Sequence, residues 1–334
     1  MWRWGRSLTF NISGVLYEEH SDVVGESAMT PEQILSLQPS VLTQKQREFY
    51  FENGFLLLER IIPMDVIETL RRATTAKIEE TRTLTKSDAV WDLEAGHSAA
   101  RPRLRRLSSP CDHHPDYWSY ASESIVPDIV ADLVGPNVKF HHSKLNFKSS
   151  EGGAEVKWHQ DIQFWPHTNY SPLTVGTYLY DCDMEQGPVG FIPGSHNGEL
   201  FDEYNDKGQW VGCIGERDLE RVDTAKAVYM VGPAGSLTIH NCRTIHGSAQ
   251  NNSKEERPLL LFTYSSADAM PYTYNPLQSR YMERIVRGKP TRWAHHDPRP
   301  CLIPPDWSGG YTSIFAQQQE EDWGKVKPVP AYGR

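Results

Sequence analysis

The sequence predicts a mainly β fold, a jelly-roll core with flanking helices, on three observations. After Val138 the chain breaks into short alternating segments divided by Gly, Pro, Asn and Ser clusters. These lie at 138–148, 156–165, 173–181, 189–192, 226–231, 235–241, 243–249 and 257–265, and many short strands at such spacing form a sandwich or barrel. Before Val138 the apolar residues recur at helical spacing, which places a helical layer ahead of the strands. Finally, 334 residues with 38% apolar and 11% aromatic content can bury one large core.

The elements follow in order. Residues 1–40 lack sustained periodicity and read as a loose N-terminal extension; its opening "MWRWGRSLTF" has no apolar run of the secretory kind. In "LTQKQREFYFENGFLLLERII" (42–62) Thr43 is placed to cap a helix that ends near Asn53-Gly54. "FLLLERII" is then a strand. Pro63 opens a second helix, 63–84, with Val66, Leu70, Ala73 and Ile78 near one stripe. Residues 85–120 read as irregular, and 122–135 as a helix stopped by Gly135. The expected domain spans 41–290. The stretch 291–334, rich in Pro, Trp and His, is expected to pack on it as a loop-rich tail with a helix at 313–322.

Several function classes are excluded early. A net charge of −9 argues against nucleic acid and anionic membrane surfaces as partners. The short basic cluster "RPRLRRL" (101–107) reads as a solvated strand or loop. Five scattered cysteines with no CxxC pair point to free thiols in a reducing, cytoplasmic setting. No apolar run reaches the ~18 residues of a membrane helix.

The chemistry gathers around "VKWHQDIQFW" (156–165). Side chains two apart share a strand face. Val156, Trp158, Gln160, Ile162 and Phe164 fall on one face; Lys157, His159, Asp161, Gln163 and Trp165 fall on the other. His159 and Asp161 thus point the same way, as two ligands of one ion must. His246 in "TIHGS" supplies a third, and two His plus one carboxylate form the facial set of non-haem Fe(II) oxygenases. His240 reads as a neighbour of the site or a core residue. A two-residue hairpin at Asn251-Asn252 would set His246 opposite Arg257, with Ser248 on their face, a guanidinium suited to a carboxylate. A turn at Gly152-Gly153 would set Asn146 opposite His159 and Lys144 opposite Asp161, on a stripe with His142. Gln163 and Trp165 continue the ligand-bearing stripe and are candidate substrate contacts together with Lys144. Tyr178 is added from a neighbouring strand. His196 reads as a turn residue with a structural hydrogen bond; His113-His114 and His295-His296 read as surface.

"WHQD", "EQGPVGFIPGSHNGEL" and "HGSAQNNSKEERPLLLFTY" together resemble the phytanoyl-CoA dioxygenase family, which includes the ectoine hydroxylases, and the likeness runs from about 42 to 266. The resemblance implies a double-stranded β-helix of the cupin-like kind. It implies Fe(II) held by His159, Asp161 and His246, and 2-oxoglutarate held by Arg257 and Ser248, with Asn146 of "SKLNFK" at the co-substrate end; Tyr178, from its neighbouring strand, is a further candidate there. It also implies O2 as oxidant, succinate and CO2 as products, and a small-molecule substrate. Lys144 stands where the ectoine branch carries a substrate-contacting arginine; the two side chains are not equivalent, which points to a substrate other than ectoine. Asp161 fills the position that related halogenases leave for chloride, so oxygenation is expected: hydroxylation of an unactivated C–H bond of a polar molecule. Desaturation or oxidative cyclisation of a natural-product intermediate is the alternative outcome. A non-catalytic jelly-roll module would lack one of the three ligands or Arg257, and all are present. Nothing in the sequence specifies an oligomeric state.

Overall fold

The computed structural model describes residues 29–309, 311 and 313–318. Thr30 opens α1 (Pro31–Ser36) with a capping box: its hydroxyl accepts from Gln33 N–H, and the Gln33 side chain accepts from Thr30 N–H. The expected loose extension therefore ends earlier than residue 40, because this box and Pro31 at the first turn fix a helix whose Ile34 is buried. Residues 1–28 lie outside the described residues. Thr43 repeats the device for α2 (Gln44–Asn53), which ends at Gly54 with φ 84°. A Cβ there would lie 2.4 Å from His196 Nδ1 and 2.6 Å from Thr244 Oγ1, so both conformation and space demand glycine. Then come β1 (Phe55–Leu58) and α3 (Met64–Glu80), with Ile67, Leu70 and Ala73 buried.

The segment expected to be irregular is more regular than its sequence. It holds β2 (Trp91–Leu93), β3 (Leu104–Ser108), α4 (Pro110–His113) and α5 (Pro115–Glu123). Arg105 and Arg106 of the basic cluster sit inside β3 and are both buried. A strand covered on both faces shows no alternation, so it reads from sequence as a loop. Next is α6 (Val126–Val134), which stops at Gly135 as expected.

The strands that follow are β4 (Val138–Asn146), β5 (Val156–His159), β6 (Leu173–Tyr178) and β7 (Val189–Phe191); a short α7 (Glu216–Leu219) intervenes. Then come β8 (Val228–Tyr229), β9 (Leu237–Asn241), β10 (His246–Ser248), β11 (Leu259–Ser266), β12 (Ile285–Arg287) and α8 (Ile314–Gln318). They form two antiparallel sheets. The larger runs β1-β9-β6-β11-β4-β3-β2 with β12 also on β4, and the smaller runs β5-β10-β7-β8. This is the double-stranded β-helix that the sequence resemblance implies.

Alternation along β11 divides the fold. Leu260, Phe262 and Tyr264 join the buried apolar cluster that includes Leu70, Tyr120 and Ile129 of the helices. Each such buried side chain contributes about 1.5–3 kcal/mol. Leu259, Leu261 and Thr263 point the other way, between the sheets. The tail packs on the same core. Trp307 is buried and donates from Nε1 to the Phe164 carbonyl at 2.8 Å, and Gln318 of α8 accepts from Lys157 N–H at 2.8 Å. His295 is half-buried against Asp268 rather than free at the surface. No helix among the described residues is long and apolar enough to cross a membrane, and the five cysteines are free.

The N-terminal helices are tied down by Asp132 on α6. Its carboxylate accepts from Ser40, Val41 and Leu42 N–H at 2.7–2.8 Å, while Arg47 donates to its carbonyl at 3.0 Å and to the Leu37 carbonyl at 2.9 Å. Asp132→Ala strands three backbone donors, of which that of Leu42 is buried. It is expected to lower unfolding stability by about 2–4 kcal/mol, read as a shifted denaturant midpoint; an unchanged midpoint would show that the tie carries no net stability.

Candidate active site

β5 and β10 pair with His159 directly opposite His246. The next pair is Val156 with Ser248, so β5 has one residue more than β10 between the two pairs. That bulge overturns strict alternation over 156–165: Val156 faces the cavity with His159, and Lys157 is exposed. The strand ends at His159. Gln160 stays extended (φ −125°, ψ 119°), and Asp161 opens a 3-10 turn, Asp161–Gln163. The single extended link is what keeps His159 and Asp161 on one side.

The three groups converge. His159 Nε2 is 3.8 Å and His246 Nε2 3.9 Å from Asp161 Oδ1, and the three candidate ligand atoms lie within 4.8 Å of one another. His159 Nδ1 contacts the Lys157 carbonyl at 2.8 Å and His246 Nδ1 the Thr244 carbonyl at 2.9 Å. A carbonyl only accepts, so both Nδ1 atoms carry the proton and both Nε2 lone pairs are free. Burial pushes His159 down to about 4 and His246 well below the usual range. Burial opposes ionisation of Asp161, but Lys144 at 3.7 Å and the His240 hydrogen bond outweigh it and hold the carboxyl well below its ordinary value. Its two oxygens are divided: Oδ2 accepts from Thr174 Oγ1 at 3.1 Å and His240 Nε2 at 3.3 Å, leaving Oδ1 toward the histidines. Two neutral imidazoles and one fixed carboxylate oxygen fit a divalent iron ion on one face.

Neither expected hairpin exists. β10 and β11 lie in different sheets, and Arg257 pairs with Lys148 (N···O 3.0 and 3.2 Å), not with His246. The loop between them is pinned by buried Asn251, whose side-chain amide donates to the Lys148 and Glu255 carbonyls. Likewise β4 and β5 belong to different sheets; Asn146 stands opposite Leu259 and Arg106, and Lys144 opposite Leu261 and Ser108. Consecutive strands here cross between the sheets, so the polar stripes meet face to face across the barrel. The residues come together by that route, and the intended neighbours still line one cavity.

Arg257 and Ser248 line this cavity with the His-Asp-His set, as do Asn146 and Lys144. Arg257 is buried; one terminal nitrogen donates to the Gly187 carbonyl at 3.0 Å, and its Nε has no protein partner. Gly187 (φ 63°) would place a Cβ 2.3 Å from the Ala249 carbonyl, which explains the glycine of "EQGPVG". Three candidates do not reach the cavity. The 3-10 turn carries Gln163 away, and its amide donates to the Phe201 carbonyl at 2.8 Å. Trp165 packs in the apolar cluster with Trp307. Tyr178 is buried, and its hydroxyl donates to the Met230 carbonyl. His196 Nε2 bonds the Phe51 carbonyl at 3.0 Å, a structural role as expected.

Sequence reasoning missed Thr174, Lys148 and Arg106. Lys148 was within reach, since it follows Lys144 and Asn146 at steps of two. Arg106 was hidden by the apparent solvation of its cluster.

Residues 50–259 match the family model for phytanoyl-CoA dioxygenase (PhyH). The chain belongs to the phytanoyl-CoA dioxygenase family. It is an iron- and 2-oxoglutarate-dependent dioxygenase, as its relatives are. A probable alpha-ketoglutarate-dependent hypophosphite dioxygenase of Stutzerimonas stutzeri is 28% identical, over 84% of this chain and 98% of that one. An ectoine dioxygenase of Bordetella bronchiseptica is 26% identical, over 70% and 78%. The crystal structure of EctD from S. alaskensis with 2-oxoglutarate and 5-hydroxyectoine superposes with a TM-score of 0.58 at 20% identity, over 77% of this chain and 86% of that one, a likeness of fold.

Asp161→Ala is expected to cut Fe(II)-dependent succinate formation by more than about 100-fold, whereas Thr174→Val, which removes one of the two hydrogen bonds to Oδ2, should weaken iron binding by about 10–100-fold. Metal titration and succinate assay separate the two. Equal effects would mean that Asp161 is no more than an orienting group.

Proposed function

We propose that this dioxygenase hydroxylates a C–H bond of a polar small molecule, with iron held by His159, Asp161 and His246. In this reading the distal carboxylate of 2-oxoglutarate is taken by Arg257, with Ser248 and Lys148 beside it and Asn146 along the same cavity wall. One observation carries it: a buried guanidinium with an unpaired Nε faces the cavity that the His-Asp-His set occupies. When bound, iron and 2-oxoglutarate supply the oxidising chemistry.

The chain's own groups hold, orient and shield. Asp161 enters as an anion and keeps a ligand position filled, which favours oxygenation over halide transfer. Lys144 holds that charge in place from β4. Ile314 and Phe315 of α8 line the cavity and exclude water from that side. Four buried free thiols fit a reducing compartment such as the cytoplasm.

The test is anaerobic addition of Fe(II) and 2-oxoglutarate, followed by oxygen and a panel of polar small molecules. The panel includes ectoine, named for one relative, and hypophosphite, named for another; hypophosphite has P–H but no C–H bonds, and acceleration by it alone would replace the C–H assignment. The expected result is a weak visible absorption of the iron–2-oxoglutarate chelate and succinate release that one class of compound accelerates. Absence of both would overturn the proposal.

Lys148 gives a second test. Burial, then Arg257, pushes its amine down to about 6, so it is neutral in the free protein above that pH. A carboxylate seated between Lys148 and Arg257 restores the charge. Binding of 2-oxoglutarate near pH 7.5 should therefore take up about one proton, with affinity falling as pH rises above about 6. Calorimetry in buffers of different ionisation enthalpy reads the uptake, and Lys148→Met should abolish it. No uptake in the unaltered protein would place the co-substrate elsewhere.

A further inference from the structure

Four basic side chains, Arg106, Lys144, Lys148 and Arg257, line the cavity wall against one carboxylate, Asp161, and with Lys148 recharged by the co-substrate all four count in the loaded site. The charges of Fe(II) and 2-oxoglutarate cancel, so loading the site as proposed leaves the excess in place. Lys144 is engaged by Asp161 at 3.7 Å, and Arg257 and Lys148 face the co-substrate end. Arg106 is left over. It is 1% exposed, and no carboxylate among the described residues lies within ion-pair distance of it. Its Nε donates to Asn146 Oδ1 at 3.0 Å, and its Nη1 is buried without a partner. The neighbouring Arg105, by contrast, is paired with Asp92 at 2.9 Å. The Tyr311 hydroxyl also borders Arg106, and a buried guanidinium on a cavity wall with no carboxylate partner is a group that a bound anion would satisfy.

Its place in the sheet separates it from the co-substrate. Arg106 stands on β3, opposite Asn146 and one strand beyond β4, while Arg257 precedes β11 on the other side of β4 and reaches toward Gly187 before β7. The two guanidiniums thus serve opposite flanks. Lys144, one two-residue step (about 7 Å) from Asn146 along β4, links the Arg106 flank to Asp161. Phe315 closes over Arg106, with its ring centroid 5.9 Å from the guanidinium carbon, so only a compact ligand fits beneath α8.

We infer that Arg106 anchors the substrate to be oxidised, and that this substrate is a small oxyanion, a carboxylate or a phosphorus oxyacid. The inference rests on the co-substrate assignment to Arg257. The Asn146 bond fixes the Nε side of the guanidinium, so an anion would be met by its terminal nitrogens, beside Tyr311.

Anaerobic calorimetry on the full chain loaded with Mn(II) and 2-oxoglutarate tests it, with propionate and methylphosphonate as ligands and propionamide as the uncharged counterpart. At least one anion is expected to bind and the amide not to. Arg106→Gln should weaken anion binding by about tenfold or more and change 2-oxoglutarate affinity by less than about twofold, with Arg106→Lys in between. Arg106→Lys carries the test alone if the glutamine variant does not fold. Equal binding of anion and amide, or an anion affinity indifferent to both substitutions, overturns the inference. So does a loss that falls on 2-oxoglutarate, because Arg106 would then be a co-substrate residue. An unaltered protein that binds 2-oxoglutarate but neither anion refutes this inference alone; one that fails to bind 2-oxoglutarate refutes the proposed function beneath it.

Discussion

The site depends on one carboxylate remaining ionised while fully buried. Asp161 rides on the small sheet's connection, yet nearly everything that stabilises its charge comes from the large sheet: Lys144 on β4, Thr174 on β6 and His240 on β9. The two histidines that face it are carried by β5 and β10 of the small sheet. The interaction therefore clasps the sheets together at the same point where it presents an oxygen to a metal. Thr174 is itself held by Thr263 at 2.9 Å, and Thr263 by His142 at 3.3 Å, so the polar chain continues into the large sheet. Burial keeps His142 uncharged, well below its ordinary range. The chain of hydrogen bonds thus brings no second positive charge toward the site.

That arrangement sets the division of labour in the fold. The outer face of the large sheet is apolar and is covered by helices; its inner face is rich in charge and hydroxyl groups. Stability is concentrated outside the barrel and chemistry inside it. Buried cations on the inner wall are costly on their own. In the proposed reading bound anions compensate them, at Arg257 and Arg106, each of which has a nitrogen without a protein partner.

The legible parts of the sequence were those governed by local rules. Capping by Thr43, the glycine stops at Gly54 and Gly135, and the change from helical to strand texture at Val138 all correspond to structure. His159, Asp161 and His246, the expected ligand set, do lie together, their candidate ligand atoms within 4.8 Å of one another. What stayed hidden was decided by long-range pairing. The register drawn through Asn251-Asn252 assumed that neighbouring strands share a sheet, and here they do not. Arg106 looked solvated because nothing in "RPRLRRL" reveals that both faces of β3 are covered. Gln163 and Trp165 were assigned by extending a strand that in fact ends at His159.

The cavity draws on two separate stretches of the chain. The groups that would hold iron and 2-oxoglutarate all lie between Asn146 and Arg257, inside the span that matches the family model. The residues that close the cavity over Arg106, Ile314 and Phe315, lie well outside it. Cofactor chemistry is thus fixed by the barrel strands and their immediate loops, while the shape left for the substrate is finished by a separate segment packed against β5. A substitution in α8 could reshape the space beneath Phe315 without moving Asp161, because Lys144, Thr174 and His240 hold that carboxylate from the opposite sheet. If Arg106 anchors the substrate as inferred, the groups that would set selectivity and those that fix Asp161 belong to different parts of the cavity wall.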